Sequence, residues 1–290
     1  MEFIIDSDFH DVRLDKFLRK TYREIPLSGI FRMLRKGKVK VNGKRKKQDY
    51  RLQRGDCVRV WEQSAPSSAP PLLELSKEDQ HLARSIIVFE DDDIILCNKP
   101  SGLVMHEGSD HVYGMTELIR AYTRNQGFNF VHRIDKMTAG LVIGGKNPQT
   151  IRKLSQLIRE QIVEKQYVVL VEGVVVKEFF LINTFLKKEH DRVVEQIDGK
   201  SGGKEARSEF RVLKRGPGRT LLQARLHTGR THQLRVQLAN IGHPIVGDPK
   251  YGKAAREETM FLFSQRLVVS PLNIDFSLAI PGSFERALQQ

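Results

Sequence analysis

Residues Val131 to Lys146 read VHRIDKMTAGLVIGGK, a short polar turn between two apolar runs of strand character. Strands flanking such a turn hold its side chains rigidly, as chemistry requires. Asp135 is the lone carboxylate of the segment, and His132, Arg133 and Lys136 beside it are expected to favour its ionised form. That is one way to keep a nucleophilic carboxylate ready. Taken alone, the loop also fits, and more commonly so, an Asp that caps a turn beside a solvated arginine.

Working outward, further strand-like runs fall at Tyr167 to Val171, Ser208 to Leu213 and Leu221 to Leu226, and paired strands at Glu90 to Asp93. A helix is expected near Met115 to Asn125. Another should start at Pro148, capped by Asn147, with Ile151, Leu154 and Ile158 as its buried face. Strands outnumber helices and their alternation is irregular. The fold class is therefore α+β, with a mixed, largely antiparallel sheet rather than a doubly wound one. Glu189 to Lys204 is polar enough to be a mobile surface loop.

The 290 residues carry a formal net charge of +13, and 40% are hydrophobic, enough to bury a core. Residues 1 to 62 hold 17 Lys and Arg against 9 Asp and Glu, so the excess sits at the amino terminus. There Leu14, Phe17 and Leu18 mark one helix. A second is expected from a cap at Ser28 to Lys36, closed by Gly37. Lys38 to Val41 alternates as a strand, and Asn42-Gly43 signals a hairpin turn. Arg32, Arg35, Lys36, Lys38 and Lys40 belong to a stretch, Phe31 to Lys47, with nine basic residues and no acid. Helix and hairpin are expected to present this charge on one surface to an RNA backbone. QSAPSSAPP, residues 63 to 71, reads as an extended linker. The expected organisation is a small α/β RNA-binding domain at 1–62, a linker at 63–72 and a catalytic domain at 73–290.

No apolar run approaches the ~20 residues that cross a bilayer, and the acidic start of the chain lacks the positive region of a signal peptide. A cytoplasmic protein with no membrane partner is expected. Cys57 and Cys97 are far apart and alternate with apolar residues, predicting buried reduced thiols. No phosphate-cradling, dinucleotide or zinc-deaminase motif occurs, and the spacings of His227, His232 and His243 match no common metal site. The chemistry is expected to need neither metal nor cofactor.

A second stretch, His227 to Gly252, reads HTGRTHQLRVQLANIGHPIVGDPKYG and gathers Arg230, Thr231, His232, Gln233 and Arg235 around the start of an expected helix. Leu234, Leu238 and Ile241 supply its buried face. Arg235 lies at the edge of that face, where its guanidinium can reach a buried partner, most naturally a carboxylate. Together with VHRIDKMTAG, this stretch resembles the signatures of the RluA family of pseudouridine synthases. Asn98 to Leu103 with His106 resembles that family's NKPxGLxxH element, and Lys165 with Tyr167 its KxY element. The amino-terminal part resembles the RNA-binding domain shared with ribosomal small-subunit protein four, and the combination looks closest to the RluC type, which acts on large-subunit ribosomal RNA. Ile134, Ala139, Gln237 and Phe263-Ser264 depart from the family pattern, the last two leaving details of RNA contact open.

The resemblance implies isomerisation of uridine to pseudouridine in RNA, and a monomer is expected. Asp135 would act as nucleophile at the ribose C1′ or as base at C2′, and the sequence does not choose. Arg235 would hold Asp135 ionised through a buried ion pair. Arg133 would fill the stack vacated by the flipped base, and Tyr167 would stack on the uracil or assist removal of its C5 proton. Arg230 and His232 join the RNA contacts, with His232 also read as a helix-start residue. Lys99 and Lys165 are phosphate or structural contacts. Two other classes compete: a non-catalytic RNA-binding or ribosome-assembly factor, which explains the charge but not the isolated Asp, and a glycoside hydrolase, which ordinarily needs two carboxylates.

Overall fold

A computed structural model describes residues 1–22, 25, 27–61, 72–106, 113–189, 192–196, 199, 202–252 and 259–290. The chain divides into two compact units, Met1–Pro71 and Leu72–Gln290. Of the expected linker, only Leu72 lies within the described residues.

In the first unit, β1 (Glu2–Ile4), α1 (Leu14–Thr21), α2 (Leu27–Arg35), β2 (Val39–Val41) and β3 (Cys57–Val60) follow in order, and the sheet runs β1-β3-β2 with antiparallel pairing. Both helices bury their apolar faces on one side of this sheet, where Leu14, Phe17, Ile30 and Leu34 meet Val39, Val41, Val58 and Val60. Helix α2 begins before Ser28, so the expected cap falls inside its first turn. Gly37 closes the helix with φ +69°, a conformation most side chains resist. Asn42 and Gly43 do form a two-residue turn, with φ +50° and +75° and mutual backbone hydrogen bonds between Val41 and Lys44. Its second arm is not a strand, however, because β2 pairs with the distant β3 instead. Asn42 is held by donating to Asp56 at 2.7 Å and accepting from the Cys57 amide at 2.8 Å.

One expectation fails here for a simple reason. Successive strand residues point to opposite faces, so Lys40 and its register partner Arg59 lie opposite the helices, whereas Arg32 and Arg35 on α2 and Lys36 just beyond it are exposed. The basic residues therefore serve two surfaces, not one. Cys57 shares this alternation and is half-buried rather than buried; Cys97 is buried, and both are free thiols.

In the second unit, α3 (Lys77–Ile86), β4 (Ile87–Glu90), β5 (Ile94–Lys99), α4 (Met115–Tyr122), β6 (Asn129–Phe130), β7 (Ala139–Gly145) and α5 (Pro148–Arg159) come first. They are followed by β8 (Glu164–Glu172), β9 (Phe179–Glu189), β10 (Arg192–Gln196), β11 (Lys204–Arg215), β12 (Arg219–Leu226), α6 (Gln233–Asn240), β13 (Leu262–Val269), β14 (Ile274–Ser277) and α7 (Gly282–Leu288). As expected, the sheet is large, mixed and mostly antiparallel: its order is β10-β9-β11-β12-β8-β13-β7-β5-β4, with β14 on β13 and β6 on β7. Among the described strands only β7 and β13 pair in parallel, at Ala139–Phe263 and Gly140–Ser264. A Cβ on Gly140, whose φ is +110°, would sit 2.3 Å from the Ser264 carbonyl. Only glycine lets the strand that carries the Asp135 turn come this close to β13.

Asn147 caps α5 by accepting from the Thr150 amide at 2.9 Å, and Leu154 is fully buried beneath it. Residues 189–204, expected as a mobile loop, instead contain β10, which returns along β9 in antiparallel register from Arg192 to Gln196. The polar composition that suggested a loop is that of a hairpin with one wet face; residues 190, 191, 197, 198, 200 and 201 lie outside the description. Among the described residues, no helix is long and apolar enough to cross a membrane.

Candidate active site

The Asp135 turn leads into β7, an inner strand of the large sheet, and is clamped from behind by the Asn98–Leu103 element. The ammonium of Lys99, wholly buried, donates to the carbonyls of Pro100, Leu103 and Lys136 at 2.8, 2.8 and 2.9 Å. Ser101 donates to the Met137 carbonyl at 2.8 Å and the Gly102 amide to that of Lys136 at 2.9 Å. Lys99 is thus a structural clamp, and phosphate has no access to it. Burial pushes its pKa down to about 8, although nearby Asp135 pulls the other way.

Helix α6 supplies the other wall. It is buried on all sides rather than along one face, and Ile241, expected inside, is its exposed C-cap. Two buried glutamines make this possible. Gln233 donates to the Arg207 carbonyl and the Ser208 hydroxyl at 3.0 and 2.9 Å, and Gln237 donates to the Ala206 carbonyl at 2.8 Å while accepting from Ser208 at 2.7 Å. Each buried amide that is satisfied avoids a penalty of roughly 1–3 kcal/mol. Gln237 and Ser264, the two departures that bore on RNA contact, are both internal; Ser264 donates to the Leu141 carbonyl at 3.0 Å.

Arg235 projects from α6, its side chain only 6% exposed. Its main partner is not Asp135. Nε and Nη2 bind the two oxygens of Asp248 at 2.7 and 2.8 Å, and only Nη1 reaches Asp135 Oδ2, at 3.1 Å. Asp248 also accepts from the amides of Lys250 and Tyr251 at 2.8 and 3.1 Å. Burial alone would raise the Asp248 pKa, but these donors outweigh it and hold the carboxyl below the usual range. The buried pair is therefore Arg235–Asp248, and Asp135, 26% exposed, is its third member. Asp135 Oδ1 has no protein donor among the described residues. Tyr251 completes the cluster: its hydroxyl lies 2.9 Å from His232 Nδ1 and its ring faces the Arg235 guanidinium at 5.2 Å. His232, with φ +53° at the start of α6, places Nε2 3.7 Å from Asp135.

The cleft in front of Asp135 has a volume of about 830 Å³. Residues 131–138, Lys165, Tyr167 and 226–235 line it. Tyr167 sits on β8 between Ala224 and Ser264. Burial and Asp135 raise its phenol to about 12 against a hydrogen bond with Ser264, so it is a neutral phenol at physiological pH. His132 is not the cation its position suggested. Its Nε2 accepts from the Ile143 amide at 3.1 Å, and burial together with Lys165 pushes it down to about 3. Arg133 stands exposed, and Lys165 projects into the cleft with its pKa lowered by burial. Neither side chain has a hydrogen-bonding or ion-pair partner among the described residues. Arg230, at the rim, anchors Nε on the Glu205 carbonyl at 2.8 Å. No three His, Cys, Asp or Glu side chains gather as metal ligands among the described residues.

Asp248 and Tyr251 were missed in the sequence, although both lie in the quoted stretch. The available signal was Gly247-Asp248-Pro249, a turn-forming triplet that frees a carboxylate to point inward.

RNA pseudouridylate synthase sequences match residues 93–240 and the S4 domain matches residues 12–58. The chain is 39% identical over 285 residues to ribosomal large subunit pseudouridine synthase C of Vibrio cholerae, covering 95% of this chain and 89% of that one. It is 36% identical over 259 residues to the protein of the same name in Escherichia coli, covering 86% and 78%. Among solved structures, human RNA pseudouridylate synthase domain containing 4 aligns with a TM-score of 0.62 at 20% identity over 73% of this chain and 95% of that one. Human RNA pseudouridylate synthase domain containing 1 aligns at 0.59 and 23% identity over 70% and 86%. At such identity these two structures speak to the fold alone.

Proposed function

We propose that this chain, which belongs to the RNA pseudouridylate synthase family and is an isomerase of RNA, converts particular uridines of large-subunit ribosomal RNA to pseudouridine with Asp135 as the group that initiates the reaction. The substrate class is carried over from the Vibrio and Escherichia relatives. It acts as a monomer in the cytoplasm without a cofactor. The observation that carries the assignment of Asp135 is its division of labour: Oδ2 is fixed by Arg235, whereas Oδ1 has no donor among the described residues, and the residue lines the cleft. A carboxylate so held is oriented without being used up.

In the reaction the bond from uracil N1 to the ribose C1′ breaks, the base turns, and C5 takes N1's place; N1 gains a proton and C5 loses one. Asp135 initiates this either by adding to C1′ or by removing the C2′ proton, and both routes use the ionised form. Arg235 positions it through the Asp248 fork. Extruding the target base costs a few kcal/mol. Arg133, free at the rim, offsets that cost by taking the vacated place in the stack and pairing with phosphate. Tyr167 supplies a ring for the uracil to stack on, and its raised pKa makes it a poor source of phenolate. Arg230 and His232 meet the phosphates near the target. Arg32, Arg35, Lys36, Lys38 and Lys40 of the S4 module supply affinity that is indifferent to sequence.

Asp135→Asn, nearly isosteric, tests the assignment. Pseudouridine formation should fall by about 10²- to 10⁴-fold or more, the range expected when a positioned acid or base is lost, while RNA binding stays within a few-fold. Near-normal turnover in a tritium-release assay would sink the mechanism.

A further inference from the structure

Trp61, the chain's one tryptophan, follows β3 and is 42% exposed. Its amide donates to the Lys38 carbonyl at 2.9 Å, which fixes it beside β2. Lys40 Nζ lies over its ring at 5.0 Å and the Arg59 guanidinium at 5.7 Å. Lys40 and Arg59 are register partners on the sheet face turned away from α1 and α2, so the ring and both cations share one surface. Ile4, 69% exposed, lies on the strand beyond β3 and adds apolar area. The acid described on this face is Glu2, paired with Arg59 and half-exposed; Lys40 has no acidic partner among the described residues.

We propose that this sheet face is a stacking site for an unpaired nucleotide of RNA, with Trp61 as the platform and Lys40 and Arg59 as contacts to the flanking phosphates. The inference rests on the reading of the amino-terminal module as RNA-binding and adds to it a ligand class, single-stranded RNA, and a residue that senses it. An aromatic ring whose covering cations can swing outward to phosphates suits a base and its phosphates together, whereas Arg32 and Arg35 on α2 offer charge without an exposed ring. A duplex hides its base faces, so the platform discriminates by strandedness rather than by sequence.

Because Trp61 is the sole tryptophan, its intrinsic fluorescence in the full chain reports this site directly. Titration with a single-stranded oligouridine should quench it, and titration with a duplex of equal length should do so much less. Trp61→Ala should weaken binding of the single strand roughly 5- to 150-fold, the span measured for base–aromatic stacking, and Trp61→Phe should restore most of it. The salt dependence of binding should be unchanged in Trp61→Ala, since stacking releases no counterions, but should flatten by about one contact in Lys40→Ala. A merely structural tryptophan would not separate these two variants. If labelled RNA binds, as read by anisotropy, with no quenching and equal affinity for Trp61→Ala, the stacking site is refuted while RNA binding stands. If no RNA binds the full chain at all, both readings fall.

Discussion

The Asp135 cleft and the surfaces of the S4 module are both rich in arginine and lysine, yet they handle charge in opposite ways. In the cleft, Arg235 is nearly inaccessible and spends its donors on two carboxylates, one of which is fully buried. On the module, Arg32, Arg35 and Lys36 are exposed and have no acceptor among the described residues. Desolvating a guanidinium costs several kcal/mol unless a well-formed partner offsets it, so a charge is buried only where its position has to be fixed. The chemistry proposed for Asp135 needs a carboxylate held still. Gripping a polyanion needs only charge within reach, and the phosphates provide the order.

The largest effect should come from breaking the cleft side of this contrast. Asp248→Asn removes the charge that balances buried Arg235, and stability should fall by about 3–5 kcal/mol. Turnover should fall with it, because the third donor of Arg235 no longer has a fixed origin. Urea unfolding checks the first effect and pseudouridine formation the second; a variant as stable as the parent would show that the fork does not hold this wall together.

A smaller, pH-dependent effect separates His132 from the true cations around it. Its pKa is about 3 in the fold against 6.5 unperturbed, so the unfolded chain binds more protons between those values. Stability contributed by the neutral ring is therefore complete above pH 6.5 and is lost as pH falls towards 3, with a slope of up to about 1.4 kcal/mol per pH unit. His132→Gln, which keeps an acceptor for the Ile143 amide, should remove this component from the acid-unfolding profile. An unchanged profile would mean that His132 is already protonated in the fold.

The smallest structural effect, and the sharpest test of the other side, is replacement of Arg32, Arg35 and Lys36 by Ala. Unfolding should be little altered, since nothing buried depends on these groups. Binding to all structured RNAs should weaken alike, and the slope of log affinity against log salt should drop by about 2 to 3 if all three sit on phosphates. Modification of different uridines by the triple variant would mean that the module reads sequence or shape, and the contrast drawn above would fail.

Local chemistry is what a sequence shows best, and the elements that it dictates were legible. Asn147 before Pro148 gave the start of α5, Asn42-Gly43 gave a turn, the apolar run Tyr167 to Val171 gave β8, and the strand-like runs Ser208 to Leu213 and Leu221 to Leu226 gave β11 and β12. The errors arose where a distant partner decides. Asn42-Gly43 implied a hairpin, but Val39 to Val41 pairs with Cys57 to Val60, and that choice belongs to the whole core. Sequence proximity suggests one surface for Lys40 and Arg32, but strand alternation and the side on which α1 and α2 pack set them apart.

In the candidate site, the sequence by itself determined that Asp135 stands alone among basic neighbours in a turn and that Arg235 is placed to seek a buried carboxylate. Only the tertiary structure decided which carboxylate holds the guanidinium by two bonds. A buried guanidinium takes the partner that is itself fully desolvated and best supplied with donors, and this is Asp248, anchored by the amides of Lys250 and Tyr251. Asp135, one hundred residues before Arg235 in the chain, receives the remaining donor through a single bond at 3.1 Å, because the fold sets the turn that leads into β7 against the side chain of Arg235. Residue types fix what bonds are possible; burial, which depends on every element at once, ranks them.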